Sequence, residues 1–124
     1  MRTNVLALMC VGLLGCNAGG PTQSPANQAI ADRYHKQLLD EFGDYRQTKG
    51  YSIIAGCLVW VNKRVTAASG FQGYYIEAHA ELITNPMNDL RYQALEDCKA
   101  KKDPKHDCTC EVLDENEVNM IVVP

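Results

Sequence analysis

Tyr51-Ser52-Ile53-Ile54-Ala55-Gly56-Cys57-Leu58-Val59-Trp60-Val61 is the most apolar stretch of the chain beyond its amino terminus. Side chains of a β-strand alternate between two faces, and here both alternating sets are apolar. Ile53, Ala55, Cys57 and Val59 fall on one side, and Ile54, Leu58 and Trp60 on the other. A strand of this kind is covered on both faces and belongs inside a sheet. Asn62-Lys63 then supplies a polar turn, and Arg64 to Gly70 returns as a second strand.

Downstream, Gly70-Phe71-Gln72-Gly73-Tyr74-Tyr75 is irregular, and two glycines around an aromatic predict a loop or bulge that bends the chain. Residues 75–84 carry both signals. Ile76, Ala78, Ala80 and Leu82 alternate as in a strand, yet the residues between them are good helix formers. Asn85-Pro86 breaks that segment, and a helix follows from about Asn88 to Lys101 with Met87, Leu90, Ala94, Leu95 and Cys98 as its apolar stripe. Asp103-Pro104 stops it. Cys108 to Leu113 and Val118 to Val123 read as a closing hairpin around residues 114–117.

Upstream, Ser24 caps a helix with Pro25 at its first position. Ile30, Tyr34, Leu38, Phe42 and Tyr45 recur on one face, Gly43 marks fraying and Gly50 ends the unit. On this spacing His35 lies off the stripe and is expected in solvent. The elements together predict an α+β fold, a small antiparallel sheet packed against one or two helices.

The amino terminus is of another character. Arg2 precedes an apolar run from Val5 to Leu14, too short to cross a bilayer core of roughly 30 Å and suited to a signal-peptide h-region. Leu13-Leu14-Gly15-Cys16 resembles a bacterial lipobox, and Met9 is too large for Cys10 to serve instead. The resemblance implies cleavage after Gly15, diacylglycerol on the Cys16 thiol and acylation of the new terminus. Asn17 in place of aspartate implies, by resemblance to bacterial lipoprotein sorting, the outer membrane facing the periplasm. Residues 1–15 are thus expected as signal peptide, 16–27 as the lipidated cysteine and a Gly/Pro/Ser-rich tether, and 28–124 as one globular domain.

Charge and cysteine content narrow the partners. The net charge of −3 becomes −4 when Arg2 leaves, which argues against nucleic acid and against a polybasic membrane contact. The membrane is then reached through the lipid alone, since each buried methylene contributes about 0.8 kcal/mol. Of six cysteines, Cys10 leaves and Cys16 is blocked. Cys57, Cys98, Cys108 and Cys110 remain, an even number that in an exported domain reads as two disulfides. Cys98–Cys108 with Cys57–Cys110 is the leading arrangement, because both strand cysteines would share one face. Cys98–Cys110 with Cys57–Cys108 differs only by a two-residue register.

Signatures of catalysis are missing from the sequence. There is no Gly-x-Ser-x-Gly elbow, glycine-rich phosphate loop or His-Glu-x-x-His helix, and no histidine is placed to activate Ser52 or Ser69. Glu77 and Glu81 would share a face if helical, an arrangement usually solvated. No cofactor is implied. His106, Cys108 and Cys110 would project to one side of a strand as soft ligands for zinc or copper, although compact Cys-x-x-Cys spacing is missing.

Ala94-Leu95-Glu96-Asp97-Cys98, a polar loop and then Cys108 and Cys110-Glu111-Val112 resemble a group of small exported bacterial domains. In that group an Ala-Leu-x-x-Cys helix precedes a cysteine-containing strand, after a hairpin like Ala55 to Gly70. The likeness covers about half of the mature chain; residues 74–87 look like an insertion, and Cys57 lies outside the pattern. It implies the fold and a bond from Cys98 to the strand, and it implies no activity.

The functional expectation is therefore a non-catalytic module that binds another envelope protein, with Phe71, Tyr74 and Tyr75 as contact residues on a glycine-bounded loop. A narrower version is an inhibitor or immunity protein for an envelope enzyme. The alternative is a metal-handling lipoprotein using His106, Cys108 and Cys110.

Overall fold

A computed structural model describes residues 20–42, 50–77 and 86–124. In chain order it contains α1 (Pro25–Glu41), β1 (Gly50–Val61), β2 (Arg64–Glu77), α2 (Pro86–Lys101), β3 (Cys110–Glu115) and β4 (Val118–Asn119). The strands form one antiparallel sheet in the order β2-β1-β3-β4. The signal-peptide and lipobox residues, Tyr45 and the ambiguous segment beyond Glu77 lie outside the described residues.

The two faces of β1 are separated as its sequence pattern requires. Ile54, Leu58 and Trp60 pack in a cluster with Ala31, Leu38 and Leu39 of α1 and with Leu113, Ile121 and Val123. Ile53, Ala55 and Cys57 pack in a second cluster with Leu90, Ala94 and Cys98 of α2. One helix therefore covers each face of the sheet, which is the α+β architecture expected. The α2 stripe contains the residues read from sequence, and the helix starts two residues earlier, with Pro86 at the position where a missing N–H costs nothing.

Ser24 caps α1, its Oγ accepting from the Asn27 N–H at 3.1 Å, an interaction worth about 1 kcal/mol. The buried face of α1 differs from the expected one: it runs through Ala31, His35, Leu38 and Leu39, leaving Ile30 and Tyr34 half-buried. Drawing the stripe through Ile30, Tyr34 and Phe42 passed over Ala31 and Leu39, which rotate it towards His35.

Both hairpins close through two-residue turns. Asn62 and Lys63 have φ of 52° and 62°, and Asn116 and Glu117 have φ of 53° and 68°. Two successive left-handed residues match the twist of the flanking strands. Beyond β4, the final residues run alongside α1. The Gln23 amide donates to the Ile121 carbonyl at 2.8 Å and accepts from the Val123 N–H at 3.0 Å. Gln23 to Asn27, which composition placed in the tether, are thus built into the folded unit.

Gly70-Phe71 is a bulge inside a strand, not a loop. Ala55 pairs with Gln72 and Cys57 with Ser69, so two residues of β2 oppose Gly56 alone. Gly70 has φ +73°, and a Cβ there would lie 2.9 Å from both the carbonyl oxygen and the Sγ of Cys98. The bulge lets the edge strand pass under the end of α2.

Cys57 bonds Cys108 and Cys98 bonds Cys110, with Cα–Cα distances of 5.5 and 6.0 Å. This is the second of the two arrangements; the leading one is corrected. It assumed that Cys108 and Cys110 share a strand face, but β3 begins only at Cys110. Cys108 therefore approaches β1 from irregular chain, while Cys110 faces α2. On the chain-entropy model the two closures stabilise the fold by about 4 and 3 kcal/mol respectively.

Gly70→Ala is expected to lower stability by about 2 kcal/mol or more, from the left-handed backbone and the contact with Cys98 together. A urea midpoint unchanged or raised in that variant would contradict the packing of the bulge against α2.

Candidate binding groove

α1 and the tip of the β1–β2 hairpin leave a groove of about 770 Å³ between them. The helix contributes Ile30, Arg33, Tyr34 and Gln37, at helical spacings that bring them to one face, and the hairpin contributes Trp60, Asn62, Lys63, Arg64 and Val65. Trp60 and Val65 are register partners, as are Val61 and Arg64, so the turn itself carries the cations to the rim. A second bulge, where Val59 pairs with Ala67 and Trp60 with Val65, leaves Thr66 unpaired in the ladder. Bulges increase local twist, here immediately below the hairpin tip.

All three charged residues of the lining are cationic, on a chain of net charge −3. Among the described residues neither Arg33 nor Arg64 is in an ion pair, whereas the Lys63 ammonium donates to Asn27 Oδ1 at 2.9 Å. Burial first, and then the charge of Glu41, raise the Tyr34 phenol above its ordinary value, so it remains a donor through the neutral range. Ile30, Tyr34 and Trp60 are continuous with the α1 cluster, giving the groove an apolar floor under a cationic rim. Its volume lies in the range of ligand-sized clefts. Sequence reading missed this site because its residues come from two segments, each of which reads as an ordinary solvated face.

The aromatic residues chosen from sequence do not come together. Phe71 packs over Gly56 towards α1, with ring atoms 2.7 and 2.8 Å from where a Gly56 Cβ would stand. Tyr74 lies on the opposite face beside α2, its hydroxyl hydrogen-bonded to Asp97. That bond first, then burial and the carboxylate charge, raise its phenol above the ordinary value. Only Tyr75, 57% exposed, stands on the surface. Phe71 and Tyr74 are thus partly buried in packing, on opposite faces of the sheet.

The soft-metal arrangement does not assemble. The sulfurs of Cys108 and Cys110 are taken up in separate disulfides, and His106 Nδ1 lies 2.9 Å from Ser69 Oγ. Among the described residues no group of three His, Cys, Asp or Glu side chains is placed to hold a metal. Nor is any described helix long and apolar enough to cross a membrane.

Ser69 does meet a histidine, contrary to expectation. Its Oγ also accepts from the Asp103 N–H at 3.0 Å, which ties the loop after α2 to β2. An activated nucleophile needs a base oriented by a third group, and His106 has no such partner among the described residues. The Ser69–His106 contact is loop closure. Glu77 and Glu81, the paired carboxylates of the sequence, cannot be compared, because their side chains lie outside the described residues.

A second histidine pairing is deeper. His35 Nε2 lies 2.6 Å from Oδ1 of Asp114, which is fully buried, and Asp114 Oδ2 accepts from the Glu117 N–H at 3.1 Å. The position of Asp114 has a local cause: Ile54 pairs with Asp114 and Ala55 with Val112, so Leu113 is the extra residue of a bulge. Leu113 joins the α1 cluster and Asp114 also reaches α1, while Glu115 turns to α2. There Arg91 holds it through two bonds of 2.7 and 3.0 Å. The His35–Asp114 pair is a structural lock between α1 and β3.

No family model, curated protein or solved structure matches the chain.

Asp114→Ala strips the lock and leaves His35 and the Glu117 N–H without their buried acceptor. It is expected to cost about 3 kcal/mol, since removing one member of a buried polar pair costs more than the pair contributes. Chemical denaturation showing a loss under 1 kcal/mol would overturn that role.

Proposed function

We propose that the protein is a non-catalytic binding module held on the bacterial envelope by a lipid on Cys16, and that its partner engages the groove between α1 and the β1–β2 hairpin. The observation that carries this reading is the pair of guanidinium groups, Arg33 and Arg64, unpartnered among the described residues and set above an apolar floor containing Trp60. Arginine and tryptophan are the side chains in which binding energy most often concentrates. Leu13 to Cys16 supports the anchor, and Asn17 supports residence on the outer membrane, facing the periplasm.

The groove also bears on the narrower reading of an inhibitor or immunity protein. Overall acidity favours a basic target, but a cationic groove selects an acidic surface on whatever enzyme or envelope protein is bound. A metal-handling role lacks its donor set, because the sulfurs it would use are in disulfides.

Photo-crosslinking residues placed singly at Gln37, Val65 and Tyr92 test this in the native host. Tyr92 is 71% exposed and lies on α2, on the opposite side of the sheet. Discrete adducts at 37 and 65 and none at 92 are expected, with Cys16→Ser abolishing palmitate labelling and the adducts together. Adducts at 92 alone, or normal labelling of the Cys16 variant, would contradict the proposal.

A further inference from the structure

Resting on the groove as the binding surface, we infer that its occupant is an acidic polypeptide segment with at least one apolar side chain between its carboxylates. Arginine and lysine only donate hydrogen bonds, so the rim formed by Arg33, Lys63 and Arg64 requires a ligand that supplies acceptors and negative charge. Guanidinium groups match carboxylates in a planar, two-bonded geometry. Among the described residues no carboxylate lines the groove, and the remaining polar side chains are the amides of Gln37 and Asn62 and the phenol of Tyr34. That set is poor in acceptors for the many hydroxyl donors of a neutral sugar.

Size and floor exclude a lone inorganic anion. About 770 Å³ is far more than one phosphate fills, and an anion on the rim would leave Ile30, Trp60 and Val65 uncovered. A peptide satisfies both parts at once. Its acidic side chains reach the rim, and an aliphatic or aromatic side chain between them lies on the Trp60–Tyr34 floor. Lys63 is partly satisfied by Asn27, so Arg33 and Arg64 carry most of the charge selectivity.

The chain's single tryptophan stands in the groove and serves as the reporter. The exported, detergent-solubilised protein is titrated with a ten-residue peptide of aspartate and glutamate around one central leucine. Its counterpart, with every acid replaced by the amide, is the control. A saturable change in Trp60 emission with the acidic peptide alone is expected, weakening as salt rises. Arg33→Glu with Arg64→Glu should weaken binding at least tenfold without moving the melting temperature. No Trp60 response to the acidic peptide, or an equal response to the amide peptide, would overturn the inference. So would equal saturation by inorganic phosphate or by anionic lipid vesicles. If the host crosslinks form at 37 and 65 while the acidic peptide fails here, the binding module stands and only its ligand class is wrong.

Discussion

β1 carries apolar side chains on both faces, and covering those two faces fixes where each helix must lie. Burying one isoleucine or leucine side chain stabilises a fold by about 1.5–3 kcal/mol, against a net stability of about 5–15 kcal/mol for a whole domain. Ile54, Leu58 and Trp60 left bare on one side, or Ile53, Ala55 and Cys57 on the other, would forfeit much of that margin. One helix is too narrow to serve both faces. The chain therefore places α1 before β1 and α2 after β2, and each comes to rest on its own side of the sheet.

The α2 side is secured covalently and the α1 side by polar contacts. Cys98–Cys110 ties α2 to β3, Cys57–Cys108 ties β1 to the chain approaching β3, and Arg91–Glu115 adds a two-bonded ion pair. On the other face, Asp114 holds His35, Asn119 donates to Asp32 at 2.7 Å, and Gln23 clasps the last residues. The bulge at Leu113 divides the two sets, since it sends Asp114 to one helix and leaves Glu115 for the other. The groove follows from the same arrangement. α1 covers the middle of the sheet, and the hairpin tip beyond Trp60 extends past it, so the helix flank and the turn face one another across open space.

Much of this was legible in the residues. The run of β1 that is apolar on both faces, the α2 stripe, Ser24-Pro25 as a helix start and the polar turn at Asn62-Lys63 are local signals, and local signals survive folding. Part of what could not be read depends on bulges. Gly70-Phe71 read as either a loop or a bulge, because an inserted residue and a loop both break alternation. Leu113 gave no sign that it would re-aim Asp114 onto His35, so His35 read as solvated. The two-residue error in disulfide register has another origin, since it turns on where β3 begins. The groove was least legible: Arg33 on a helix and Arg64 after a turn acquire meaning only when tertiary structure brings them to one cleft.

Adjacent isoleucines give the sharpest check on a strand buried from both sides. In a methyl-labelled sample, nuclear Overhauser contacts of Ile54 should run to Leu38, Leu39 and Ile121, and those of Ile53 to Leu90 and Ala94. Contacts from both isoleucines to the same helix, or from either to neither helix, would contradict two-sided burial of β1 and the groove that depends on it.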